Sequence, residues 1–157
     1  MKEIERKFLV KPSILSLLPT LSSKKIQQGY ISETENSIVR VRTKGEKGFL
    51  TIKGSTLGIT RSEFEYEIPF SDAESLLLNF CPSAIDKERF EFKSEKHTWE
   101  IDVFHGKLEG LIVAEIELKS EEETFEIPEW IEKEVSYDER FYNSNLIHLT
   151  YSDLFTN

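Results

Sequence analysis

Glu3, Glu5 and Lys7 stand at alternate positions of the stretch Glu3-Ile4-Glu5-Arg6-Lys7-Phe8-Leu9-Val10. In an extended strand such positions share one face, roughly 6.5–7 Å apart. Two carboxylates at that spacing repel by about 2–3 kcal/mol at an effective dielectric near 20. Water can screen this, and the face is then simply solvated. A divalent cation can also offset it, because hard cations take carboxylate oxygens as ligands. The other face carries Ile4, Phe8 and Val10, with Arg6 among them. The stretch alone leaves both readings open.

The same alternation recurs along the chain. Arg40 and Arg42 alternate with Val39 and Val41, and Lys53 with Leu50 and Ile52. Arg61, Glu63, Glu65 and Glu67 oppose Phe64, Tyr66 and Ile68. Lys87 and Arg89 oppose Phe90, Asp102 opposes Ile101 and Val103, and Glu115 and Glu117 oppose Ala114 and Ile116. If these faces converge, Lys7, Arg40, Arg42, Lys53, Lys87 and Arg89 meet Glu3, Glu5, Glu63, Glu65, Asp102, Glu115 and Glu117. That set suits a polyanion held by basic groups, with a divalent metal bridging it to carboxylates. Arginines two apart offer paired forks to phosphate oxygens. Glu67, Glu91 and Lys93 read as rim or solvent positions.

The elements that must position these residues are mostly strands: 1–10, 25–31, 38–44, 49–53, 61–70, 84–93, 96–104 and 111–118. Short turns join most of them, with 45–48 and 94–95 as hairpin candidates. Pro12 to Leu18 reads as a short helix. Ser71-Asp72-Ala73-Glu74 reads as a capping box opening a helix to about Asn79, whose Leu76, Leu77, Leu78 and Phe80 need a surface to cover. Pro128 to Ile131 reads as a short helix. Ser136-Tyr137-Asp138-Glu139 reads as a second capping box, opening a helical segment to about Tyr151 with a break at Asn143. About eight strands joined this way predict an antiparallel sheet that curls or closes. Two architectures fit: an ordinary sheet with one wet face, or a barrel turned inside out, charges in the bore and helices over an apolar exterior.

Composition narrows the rest. With 157 residues, 38% apolar and 31% charged, the chain is read as a single domain over 1–157. Eleven Phe and five Tyr rule out a disordered polar chain. A net charge of −9 argues against a nucleic-acid partner, though a local field can still hold a phosphate. Cys81 is the only cysteine, which fits a reducing, cytoplasmic setting and excludes an internal disulfide. No apolar run of 18 residues occurs, and a charged strand follows Met1 at once, so no membrane span or signal peptide is expected. His97, His105 and His148 lack ligand spacing.

Glu3-x-Glu5-x-Lys7 resembles the signature of the CYTH superfamily, also called triphosphate tunnel metalloenzymes. Gln28-Gly29-Tyr30, Arg40-x-Arg42, Lys53, Glu63-x-Glu65, Lys87-x-Arg89, Asp102-Val103-Phe104-x-Gly106 and Glu115-x-Glu117 follow in the family's order. Glu134-Val135 with Asp138, Arg140, Asn143 and Leu146 resembles the tail of the short bacterial members. The resemblance covers essentially the whole chain. It implies a mainly β fold with flanking helices: an eight-stranded antiparallel closed tunnel with a charged interior.

It further implies that Lys7, Arg40, Arg42, Lys53, Lys87 and Arg89 bind a triphosphate. Glu3, Glu5 and Glu117 would be the chief Mg²⁺ or Mn²⁺ ligands. Glu63, Glu65, Asp102 and Glu115 would hold a second metal, position water or balance the basic groups. Lys87 would orient the phosphate that is cleaved, and Tyr30 would donate near a tunnel mouth or simply pack. Arg140 would cap one end of the tunnel or pair at the surface. Relatives often carry Tyr and Lys where this chain has Phe141 and Tyr142, which leaves the tail's part in the site open. The function expected is metal-dependent hydrolysis of inorganic triphosphate to pyrophosphate and phosphate, by a monomer or homodimer. The alternatives are an organic triphosphatase acting on thiamine triphosphate or a nucleotide, a class IV-type adenylate cyclase, and a non-catalytic polyphosphate-binding module.

Overall fold

A computed structural model of the chain describes residues 2–156. Period-2 patterning produces the strands: β1 (Lys2–Val10), β2 (Ser23–Glu33), β3 (Ser37–Lys44), β4 (Lys47–Gly54), β5 (Thr60–Ile68), β6 (Ala84–Ser94), β7 (His97–Phe104), β8 (Ile112–Glu117) and β9 (Ile131–Glu134). Every pairing is antiparallel, in the order β5-β4-β3-β2-β6-β7-β8-β1, and β1 meets β5 again. Eight strands therefore close into a barrel, and β9 adds to the outside of the β1 edge. Closure is brief. It consists of Lys2 with Ser62, Glu3 with Arg61 and Ile4 with Thr60.

The barrel is inside out. Lys7, Arg40, Lys53, Lys87, Arg89, Asp102 and Glu115 are all buried. The apolar faces of β1, β7 and β8 point outward under a roof made by residues 12–21 and 125–131. There Phe8, Phe125 and Trp130 meet Trp99 edge to face, with ring centroids 5.4–5.7 Å away. Trp99 is fully buried. Trp99→Ala is expected to cost about 3–5 kcal/mol of stability, read as a lowered urea midpoint at unchanged slope. Arg6, on this outer face, lies over Phe125 and donates through Nε to Glu134 of β9 (2.8 Å).

Helix α1 (Phe70–Phe80) covers β2, β3 and β4 with Ala73 and Leu77. Gly48 permits this approach, since a Cβ there would lie 2.7 Å from Ala73 Cβ. Leu78 and Phe80, expected to be covered, face solvent instead. The predicted capping box at Ser71 does not form. The helix begins at Phe70, and the Pro69 carbonyl accepts from Asp72 N (3.0 Å) and Ala73 N (3.1 Å).

Other expectations near the ends are corrected as well. Residues 12–20 form two 3₁₀ turns, Pro12–Ser16 and Leu18–Thr20, rather than one α-helix. After one turn at Pro128, the chain extends as β9, because the free edge of β1 offers Phe8 to Glu134 and Leu9 to Lys133. Ser136 cannot cap a helix: its Oγ accepts from Lys7 N (2.9 Å) and donates to Glu134 (2.7 Å). Asp138 caps the short turn Glu139–Phe141 instead, and the helical tail divides into α2 (Asn143–Leu146) and α3 (Tyr151–Phe155).

Candidate functional site in the tunnel

Each charged pair at i, i+2 shares one face of its strand, and the intervening residue (Ile4, Val41, Phe64 or Ile116, but Arg6 and Glu88 in two cases) turns outward. The larger cavity encloses about 370 Å³ and is lined by Glu3, Glu5, Arg40, Arg42, Lys53, Arg61, Glu63, Glu65, Arg89, Glu115 and Glu117, among others. Its outer mouth carries Lys96, His97, Lys119 and Glu123. A second cavity lies toward the 54–60 loop and the tail, and adds Lys7, Tyr30, Ile38, Ile59 and Tyr142 to the lining. The two share Glu3, Glu5, Arg40, Lys53, Arg61 and Asn143, which form a neck between them.

The carboxylates fall into two kinds. Some are occupied. Both oxygens of fully buried Asp102 accept, from Lys87 Nζ (2.6 Å), Arg89 Nε (2.6 Å) and a terminal nitrogen of Arg89 (2.7 Å). Glu115 sits between Lys7 (3.2 Å) and Arg89 (2.9 Å). Glu65 accepts from Arg42 (3.1 Å), Arg40 (3.3 Å) and the Thr51 hydroxyl (2.9 Å). Glu3 accepts from Arg61 Nε (2.7 Å) and Lys53 (3.1 Å), and Glu63 pairs with Lys53 (2.9 Å).

Glu5 and Glu117 are the other kind. They face each other as partners across β1 and β8, and neither side chain has a hydrogen bond or ion pair among the described residues. Burial, then Glu115 and Glu3, push the Glu5 carboxyl up to about 7. Burial and the neighbouring Glu3, Glu100 and Glu63 also raise Glu117. Glu3 goes the other way. Burial raises it, but Lys53 and Arg61 outweigh burial and bring it to about 2.

The basic groups show the same competition. Burial pushes the Lys87 ammonium down to about 8, against the pull of Asp102. Burial, with Arg40 nearby, lowers Lys53 and Arg42. The Nε atoms of Arg40 and Arg42 are buried without a partner. Crowded cations with unsatisfied donors form a ready receptor for an anion.

The bore brings together Lys7, Arg40, Arg42, Lys53, Arg89, Glu3, Glu5, Glu63, Glu65, Glu115 and Glu117. The Lys87–Asp102 pair is buried beside Arg89. Tyr30 is buried, lines the second cavity and accepts at its hydroxyl from Gln28 Nε2 (3.1 Å), so it both packs and faces the bore. Arg140 pairs with Asp138 (2.6 Å) at the surface, and Glu67 with Lys47 (3.0 Å). Arg61 is a tunnel residue that the motifs do not include, and Asn143, which stands in the tail motif, lines both cavities. Arg61 was findable by parity, since it shares the face of Glu63 and Glu65.

An antiparallel β-tunnel with matched acidic and basic groups in its bore, and its apolar surface outside, defines the class of this protein. The model of the CYTH domain matches residues 1–142. An inorganic triphosphatase of Acetivibrio thermocellus is 44% identical over 153 residues, 97% of each chain. An inorganic triphosphatase of Nitrosomonas europaea is 35% identical over 152 residues, covering 93% of this chain and 97% of that one. The crystal structure of the inorganic triphosphatase NE1496 superposes with a TM-score of 0.65 at 32% identity, over 92% of this chain and 93% of that one. The chain belongs to the CYTH domain family.

Proposed function

We propose that this chain hydrolyses inorganic triphosphate to pyrophosphate and phosphate inside the tunnel, with Mg²⁺ or Mn²⁺ bound. The observation that carries the reading is the meeting of six basic side chains, Arg61 among them, and six carboxylates (Glu3, Glu5, Glu63, Glu65, Glu115 and Glu117) in one bore, in a chain so similar to two inorganic triphosphatases.

The donor set fits a divalent ion. Glu5 and Glu117 are hard oxygen donors with no ion-pair partner among the described residues, and burial with the neighbouring carboxylates raises both against the weaker pull of Lys53. Among the described residues no group of three or more side chains is already gathered around a metal position. Glu3 would complete the set on release from Lys53 and Arg61. Asp102 and Glu115, with their oxygens engaged, act as counter-ions that hold Lys87, Arg89 and Lys7 in place. When bound, the metal would neutralise phosphoryl charge and lower the pKa of a coordinated water.

The chain's own residues do the rest. Arg40, Arg42, Lys53 and Arg89 line the bore and bind the phosphate oxygens. Lys87 stabilises charge on the phosphate being cleaved. Glu63 and Glu65 position water or balance cations, and Tyr30 donates at the inner end.

The test is phosphate release from tripolyphosphate, ATP, GTP, thiamine triphosphate and pyrophosphate, each with Mg²⁺, Mn²⁺ or EDTA. The expected result is metal-dependent turnover of tripolyphosphate well above the others, abolished by EDTA. Preference for an organic triphosphate would overturn the substrate assignment. Tight binding without turnover would make the tunnel a receptor.

A further inference from the structure

We propose that Asn143 is a substrate-contacting residue whose side-chain amide binds the triphosphate chain at the neck of the tunnel. This rests on the reading above that tripolyphosphate occupies the bore.

Of the six residues shared by the two cavities, five are charged and belong to β1, β3, β4 and β5. Asn143 is the sixth, the only neutral one and the only one from the tail. Its Oδ1 is buried without a partner, and so is Nε of Arg40 in the same neck. These two atoms do not bond each other. A buried amide oxygen and a buried guanidinium nitrogen with no hydrogen-bond partner are both costly to leave unmade.

Among the described residues the Asn143 side chain makes no hydrogen bond. Tyr142 occupies the N-cap of α2, and its carbonyl accepts from Asn145 N (2.9 Å) and Leu146 N (2.8 Å). The Asn143 side chain caps nothing. Its position is nevertheless fixed, because Phe141 and Leu146 on either side are buried anchors. The Phe141 carbonyl also accepts from the Lys7 ammonium (3.0 Å), tying the tail to β1 beside the neck. A half-turn of the amide exchanges acceptor for donor. A phosphate oxygen at the neck could then accept from Asn143 Nδ2 and Arg40 Nε together.

The experiment is calorimetric titration of tripolyphosphate into the wild type, Asn143→Ala and Asn143→Asp, in EDTA, with thermal midpoints for each. Asn143→Ala should weaken binding about tenfold, as for one hydrogen bond to a charged group. Asn143→Asp should weaken it more, because it sets a negative charge against a polyanion. Asp in a first helical turn favours the helix, so the thermal midpoint should hold or rise. Wild-type affinity in Asn143→Asp overturns the proposal, whatever the alanine variant does. No binding by the wild type removes the proposal together with the reading beneath it.

Discussion

Glu5→Gln is expected to lower hydrolysis of tripolyphosphate by at least roughly 100-fold while leaving its binding in EDTA unchanged or improved. Gln keeps the size of the side chain and deletes the charge. The Glu5 side chain makes no hydrogen bond or ion pair among the described residues, and Gln leaves the backbone bond from Glu5 N to the Ile59 carbonyl intact, so folding loses little. The bore loses an anion that opposes a polyanionic ligand, so binding does not suffer. What is lost is one hard donor for the metal. Unchanged turnover would sink the metal-ligand role. The wild type should show the same dependence through pH. With its carboxyl at about 7, Glu5 is increasingly protonated below that point, and protons then compete with metal. At limiting Mg²⁺, activity should fall as pH drops below 7, and added Mg²⁺ should restore it.

Lys87→Ala is expected to reduce kcat by roughly 100-fold with a much smaller change in KM. Lys87 is buried against Asp102 and Phe104, so its contribution to ground-state binding is small. Its charge matters when phosphoryl charge develops. A pure KM effect would make it an ordinary binding lysine. Its ammonium, brought to about 8 by burial, loses its proton as pH rises through that value. The profile of kcat/KM, which reports the free enzyme, should therefore fall above pH 8. That alkaline limb should move away in any active Lys87→Arg variant, since a guanidinium stays charged.

The strands and the site face were legible because strand period is two and each charged pair keeps its parity, as in Arg40 and Arg42 or Glu115 and Glu117. Which side was wet was not legible from period alone. A half-exposed sheet gives the same alternation, and only closure of β1 on β5 decides between them. The ordered motifs supplied that information through resemblance. β9 was hidden because Pro128 and Trp130 look like a helix start, while the edge that captures residues 131–134 belongs to β1. The capping box at Ser136 misled for a similar reason: its hydroxyl was already bonded to β1 and β9. Asn143 stood in the tail motif, but that position gave it no place in the bore. It reaches the bore because the tail is pinned there through Phe141 and Lys7.

Strand β1 has partners in β5, β8 and β9, and Arg6 lies 128 positions from the Glu134 it grips. Contacts of such separation carry a large loop-closure entropy and form late in folding. The hairpins β3–β4 and β6–β7 are local and can form early. Glu3, Glu5 and Lys7 all ride on β1, so the edge of the bore proposed to hold the metal does not exist until the ring is complete. The hairpins alone carry Arg40, Arg42, Lys87 and Arg89, the last two already paired with Asp102 of β7, but lack Glu3 and Glu5. Under the proposed roles, catalytic competence arrives only with the last closure of the ring.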